Sequence, residues 1–252
     1  MEGRADLLPN TKMEFAVEMR SPCCVDRVKD ALGGLKGVKS IDVNLATQRL
    51  VIEGDVLADT IRDTVEKRTG MAAVLLGHGS SLHNFGAGVA AISIGNSDVR
   101  GLLRFVQVDP TTCFVEGSLD KLPTPEPVFL TVHETGDVSD GCNSCGSLFK
   151  YGDDDDTRNP FGGILKQLTP DKDQRAEFRT AMSNFKLADI IGHCVVVHQG
   201  SHNDIEHGKS KRLACGIVAR SSGLFQNSKR FCACDGVTIW EQRQRDIENG
   251  KL

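Results

Sequence analysis

Between Ala87 and Arg220 no segment carries a helical hydrophobic period of useful length. The apolar runs there are short and β-rich: Ala87 to Ile94, Gly101 to Val108, Thr112 to Leu119, Val128 to His133, Phe178 to Phe185, Asp189 to His198 and Leu213 to Arg220. With no helices to cover them, such strands must bury their apolar faces against one another. An antiparallel Greek-key sandwich or barrel is therefore expected. Two gaps, Glu134 to Arg175 and Gln199 to Arg212, are long loops of the kind that carries function.

The preceding segment reads differently. Met13 to Met19 alternates as a strand, and Cys24 to Leu35 places Val25, Val28, Ala31, Leu32 and Leu35 on one helical face. Two strands follow, Val38 to Leu45 and Gln48 to Glu53, then an amphipathic helix from Leu57 to Arg68 and a last strand from Met71 to Leu76. The order βαββαβ is the ferredoxin-like pattern, complete in about 65 residues. Gly77 to Ser81 has the composition of a linker. Beyond Leu224 the apolar pattern stops except for Phe231 to Trp240, so a tail that is flexible until a partner holds it is expected. The reading is thus an α+β chain: a ferredoxin-like domain over 11–77, an all-β domain over 78–225 and a tail over 226–252.

A hydrophobic content of 39% with 25% charged residues is ordinary for a soluble globular protein. The net charge of −4, with no long Lys/Arg cluster, argues against a nucleic-acid or anionic-membrane surface as the main partner. No apolar run approaches the length that spans a bilayer, and Glu2, Arg4 and Asp6 stand where a signal peptide would be apolar. A cytoplasmic location is expected. In that reducing compartment nine cysteines point to metal or redox chemistry, and six of them fall in close pairs: Cys23 with Cys24, Cys142 with Cys145, Cys232 with Cys234.

Cys232-Ala-Cys234 brings two soft sulfurs within reach of one ion, and thiolates are what Cu(I) prefers. A two-thiolate site is open, so a competing thiolate can attack the ion and pass it on. The same sulfurs can instead exchange disulfides, one attacking a partner cysteine and the other resolving the mixed disulfide. A polar tail has no core in which to bury them as small apolar residues. Trp240 admits two readings, an aromatic anchor on a partner surface or packing against this chain's own β domain.

The segment Arg212-Leu-Ala-Cys-Gly-Ile-Val-Ala-Arg220, with Val195-Val-Val-His198, Thr131-Val-His-Glu-Thr-Gly-Asp137 and Gly141-Cys142, resembles the core of Cu,Zn superoxide dismutase. Phe231-Cys-Ala-Cys-Asp-Gly-Val-Thr-Ile-Trp-Glu241 resembles the C-terminal segment of the copper chaperones for superoxide dismutase. Phe15 to Met19 before a cysteine-bearing loop resembles the copper-carrying ferredoxin-like domains of the same family.

The resemblance implies a metallochaperone: Cys232 and Cys234 handle Cu(I) and help oxidise a cysteine pair in a target Cu,Zn superoxide dismutase. The β domain would pair with that target as a heterodimer, because a fold that pairs with itself can pair with a near copy. A homodimer stays open as an alternative, and an upstream copper donor is implied.

Several positions depart from the family pattern. Ser21 stands at the first cysteine of the copper-carrying Met-x-Cys-x-x-Cys motif, Cys24 keeps the second, and Cys23 is an extra neighbour. Cys23 and Cys24 are therefore read either as a weakened Cu(I) site or as part of a vestigial fold kept for docking or stability. By the same resemblance the dismutase copper positions hold Thr131, His133, Leu148 and His198, and Phe161 and Ile164 replace zinc ligands. No zinc and no dismutase activity are expected of this domain; the rival reading, a catalytic dismutase with appended metal-acquisition modules, loses on ligands. Cys142 and Cys215 match the dismutase intrasubunit disulfide, whose closure of about 70 residues is worth on the order of 4 kcal/mol. Cys145, spaced Cys-x-x-Cys from Cys142, is the competing partner.

Overall fold

The computed structural model describes residues 11–80, 83–150, 163–227 and 237–248. Its contacts divide the chain into two units, with boundaries between Asn84 and Phe85 and between Ser221 and Ser222, so that the chain returns to the first unit after the second.

The first unit contains β1 (Thr11–Val17), α1 (Pro22–Leu32), β2 (Val38–Asn44), β3 (Arg49–Gly54), α2 (Ala58–Thr69) and β4 (Ala73–Ser80). The strands form one antiparallel sheet in the order β2-β3-β1-β4, the ferredoxin-like arrangement. Strand β1 is buried along nearly its whole length, and Met13, Phe15 and Val17 meet Val28 and Leu32 of α1 and Ile61 and Val65 of α2. Pro22 fits the first turn of α1, where its missing N–H has no helical partner to lose. Gly70 ends α2 in the left-handed conformation, φ 70°, which costs a glycine little.

The linker reading of Gly77 to Ser81 is corrected. Strand β4 continues to Ser80, with Gly77 opposite Glu14, His78 opposite Met13 and Ser80 opposite Thr11. His78 is buried and its Nε2 lies 2.8 Å from the Thr11 hydroxyl. The glycines serve close approach rather than flexibility: a Cβ on Gly77 would strike the Gly223 carbonyl, and one on Gly79 would press on Leu224. Residues from Ser222 pack back onto the first unit, where the Phe225 N–H donates to Glu14 and Arg49 donates to the Asn227 carbonyl.

The second unit contains β5 (Ala87–Ile92), β6 (Arg100–Gln107), β7 (Thr112–Asp120), β8 (Val128–Val132), β9 (Ile164–Leu168), β10 (Ala176–Ser183), the short helix α3 (Leu187–Ile190), β11 (Cys194–Gln199), the short helix α4 (His202–Glu206), β12 (Lys211–Ile217) and β13 (Ala219–Ser221). Two antiparallel sheets, β10-β7-β6-β5-β13 and β12-β11-β8-β9, enclose a core that includes Leu103, Phe105, Val115, Leu130, Val132, Val195 and Val197. The non-sequential neighbours β7–β10 and β8–β11 are the Greek-key crossings. Strand β9 was not expected inside the long Glu134 to Arg175 gap. Its residues Ile164–Leu168 form an edge strand on β8, too short and too mixed in pattern to stand out.

The flexible-tail expectation is corrected in part. Ile239–Glu248 form the helix α5, opened by a capping box in which Thr238 accepts from the Glu241 N–H and Glu241 accepts from the Thr238 N–H. Arg243 of α5 pairs with Glu66 of α2. Cys232 and Cys234 lie outside the described residues.

Candidate functional site

Cys23 and Cys24 sit at the turn from β1 into α1, where the chain leaves the sheet at Met19, whose carbonyl accepts from the Gln48 side chain at 2.8 Å. Ser21, the residue before the helix, spends its hydroxyl on the thiols: Oγ lies 3.0 Å from Cys23 Sγ and 3.4 Å from Cys24 Sγ. Cys23 is exposed and Cys24 half-buried against the core. The Ser21 hydroxyl, helped by backbone groups of Arg20 and Ser21, brings the Cys24 thiol down to about 7. The start of a helix favours negative charge in the same sense. At neutral pH this turn therefore presents a substantial thiolate with a second thiol beside it, a donor set suited to a soft monovalent ion.

The second unit holds two imidazoles in its interior. His133 follows β8 and His198 lies on β11, each 2% exposed, with their Nε2 atoms 2.9 Å apart. The Gly146 carbonyl can only accept, so His133 Nδ1–H donates to it at 2.9 Å, leaving His133 Nε2 as an acceptor. His198 Nε2–H then donates to His133, and His198 Nδ1 accepts from the Ser210 hydroxyl at 2.7 Å. Every ring nitrogen is satisfied with both rings neutral. Burial pushes His133 down to about 4 and His198 to about 3, which keeps them so.

The remaining positions of a dismutase-type metal pair do not converge on these rings. The Thr131 hydroxyl donates to the Val196 carbonyl at 3.3 Å. Leu148 packs in an apolar cluster with Phe129, Ile164 and Ile205. Phe161 lies outside the described residues. Among the described residues these positions do not fit a copper and zinc pair of the dismutase kind: His133 and His198 are engaged with each other, and Thr131 and Leu148 offer no further strong donor.

A disulfide joins Cys142 to Cys215, 73 residues apart, and ties a one-turn 3-10 helix at Gly141–Cys145 to β12. Arg212 fixes the same loop, donating to the carbonyls of Cys142 at 2.7 Å, Asn143 at 3.2 Å and Gly146 at 2.7 Å. Cys145 and Cys194 remain thiols, buried beside the bond and hydrogen-bonded to each other. Cys194 falls in none of the three close cysteine pairs of the sequence. Its signal was positional, since the register of β11 on β12 places Val196 opposite Cys215 and so puts Cys194 one residue pair away on the same face.

The segment that carries Cys232 and Cys234 is flanked by anchored residues. Before it, Asn227 is held by Arg49; after it, α5 is held to α2 through Arg243 and Glu66. Trp240 is half-buried on α5.

Residues 14–71 match the family model of the heavy-metal-associated domain, and residues 99–218 match that of copper/zinc superoxide dismutase. The human protein named copper chaperone for superoxide dismutase is 39% identical over 251 residues, covering 93% of this chain and 90% of its own. A chloroplastic/cytosolic copper chaperone for superoxide dismutase from Arabidopsis thaliana is 32% identical over 251 residues, covering 100% of this chain and 75% of its own. The superoxide dismutase 1 copper chaperone of Saccharomyces cerevisiae is 27% identical over 243 residues, covering 93% and 95%.

Proposed function

Because the chain belongs to the copper chaperones for superoxide dismutase, we propose that it carries Cu(I) on Cys232 and Cys234 and delivers it to a copper-free Cu,Zn superoxide dismutase. Copper is cargo here, and the chain is a metallochaperone rather than an enzyme. The observation that carries this reading is the interior of the second unit. A dismutase-like barrel is kept, yet its His133 and His198 satisfy each other and Leu148, partly buried, packs against an apolar cluster. A barrel without its redox centre still has a use as a copy of the target's own subunit.

The docking surface we assign lies where Ile217 of β12 is 39% exposed beside Gly136 and Gly192, whose backbones approach too closely for a side chain on Gly136. An exposed apolar side chain beside two closely packed glycines suits a surface that meets a near copy of itself. Pairing there gives a heterodimer with the target, and the same surface allows a homodimer in its absence. Tethering then supplies the thiolates at roughly millimolar effective concentration, so modest copper affinity suffices.

Transfer proceeds by ligand exchange, a target side chain replacing one tail thiolate on the ion before the other leaves. Disulfide formation in the target uses the same two sulfurs once a two-electron oxidant such as dioxygen, reduced to hydrogen peroxide, has taken two electrons and two protons from them to join Cys232 to Cys234. A target thiolate attacks an oxidised Cys232–Cys234 bond, expelling one tail thiolate. The second target thiolate then attacks the mixed disulfide, so the target gains its disulfide and the tail leaves as a dithiol. Cys23 and Cys24 are a second, lesser Cu(I) site that accepts the ion from a donor. The setting is cytoplasmic; among the described residues no helix is long and apolar enough to cross a membrane.

The test is activation of zinc-bound, copper-free dismutase by the copper-loaded chain. Cys232→Ser with Cys234→Ser should bring activation to background, whereas Cys23→Ser with Cys24→Ser should slow it only severalfold. Undiminished activation by the tail double variant would overturn the assignment.

A further inference from the structure

Four of the chain's cysteines converge in one dry cluster of the second unit. Cys142, Cys145, Cys194 and Cys215 are at most 5% exposed and pack with Val196, Ile94 and Val138. The Sγ atoms of Cys145, Cys194 and Cys215 lie within 4.8 Å of one another, and Cys142 Sγ is bonded to that of Cys215. Around a zinc-class ion with bonds of about 2.3 Å, tetrahedral geometry sets the sulfurs about 3.8 Å apart. The sulfurs of Cys145, Cys194 and Cys215 are at most about an ångström farther apart than that, and opening the disulfide frees Cys142 as the fourth.

The supporting elements are those of a closed thiolate site. Cys142-Asn-Ser-Cys145 has the Cys-x-x-Cys spacing that lets one turn aim two sulfurs at one ion, and glycines at φ 55° (Gly141) and 80° (Gly146) bracket it. The other two sulfurs come from β11 and β12, adjacent antiparallel strands whose register puts Cys194 and Cys215 on one face. Arg212, which clamps the carbonyls of the turn, brings a positive charge next to the cluster. It would offset the double negative charge of a divalent ion with four thiolates.

We infer that, when the Cys142–Cys215 disulfide is open, these four cysteines form a tetrahedral thiolate site for a divalent ion of the zinc class. The site is distinct from the imidazole site that the barrel has lost, and it does not depend on the copper-delivery reading. A small-molecule thiol opens it, two reductant thiols becoming one disulfide as Cys142 and Cys215 regain their hydrogens. The ion then binds with release of four protons, one from each cysteine. Bond and ion exclude each other, because the disulfide withdraws two of the four ligands. Either state ties the 141–146 turn to β12, so the barrel keeps this staple in oxidising and in reducing surroundings alike.

Cobalt(II) is a suitable probe, used anaerobically with the full chain carrying Cys23→Ser, Cys24→Ser, Cys232→Ser and Cys234→Ser so that no other cysteine pair competes. After reduction with a phosphine and its removal, one cobalt per chain is expected, with the intense visible bands of a tetrahedral tetrathiolate, bleached by added zinc. The oxidised chain should show none of this. Cys145→Ser and Cys194→Ser should each abolish the tetrathiolate bands, while Cys113→Ser, buried outside the cluster, should retain them. Circular dichroism of the reduced chain with cobalt should match that of the oxidised chain. The inference is overturned if the reduced chain shows no such bands, if the oxidised chain shows them equally, if Cys145→Ser leaves them intact, or if cobalt binds only a chain that has lost its β signal.

Discussion

Single side chains decide what each half of the molecule can do. Ser21 is a case in which a lost ligand is not an idle residue. It stands where a copper-carrying motif has its first cysteine, and its hydroxyl instead lowers the Cys24 thiol to about 7. Alkylation of Cys24 followed by peptide mass spectrometry should rise with pH through a midpoint near 7. In Ser21→Ala that midpoint should move up, slowing the reaction at neutral pH severalfold. The buried histidines give a second test. An unfolded histidine takes its proton near 6.5, whereas folded His133 and His198 refuse it until about 4 and about 3. The unfolded chain therefore binds more protons below pH 6.5, so their stabilising contribution is whole above that value and is lost as the pH falls towards 3. Urea unfolding of the second unit should weaken by up to about 1.4 kcal/mol per pH unit for each histidine over this range. His198→Gln should remove one histidine's share of the slope.

At the scale of elements, the loop from Gly141 to Cys145 is the one most dependent on a covalent tie. It has a single turn of 3-10 helix, the Arg212 clamp and the bond to Cys215. Closing a loop of 73 residues restricts the unfolded chain by about 4 kcal/mol. Cys142→Ser with Cys215→Ser should lower the unfolding free energy of the metal-free chain by about that amount in denaturant titration. Elements with a strong period were legible without coordinates: α1 and α2 from their apolar stripes, β6, β7 and β11 from their apolar runs. Those that were not legible share a physical cause, since their formation depends on residues distant in sequence. Gly77 to Ser80 has linker composition, but pairing with Thr11–Glu14 and the close passage of Gly223 make it strand. Strand β9 exists because β8 offers it an edge. Helix α5 has few apolar residues, and what marked it locally was the Thr238–Glu241 capping box.

For the whole molecule, domain order was legible because the hydrophobic period itself changes, from mixed to purely two-residue, near the first boundary. The return of the chain from Ser222 to the first unit was not legible, because Phe225 and Asn227 reach partners more than 170 residues earlier. By that return the residues described on either side of Cys232 and Cys234, Asn227 and α5, are held by the unit that also carries Cys23 and Cys24. In the function proposed above, loading and delivery are divided between two sulfur sites, and the barrel serves recognition rather than dismutation. Superoxide decay followed in one cuvette separates these roles most directly. The copper-loaded chain alone should leave the decay at its uncatalysed rate, and adding zinc-bound, copper-free dismutase should start catalysis. Turnover by the chain alone, or a target that stays inactive after mixing, would contradict the account.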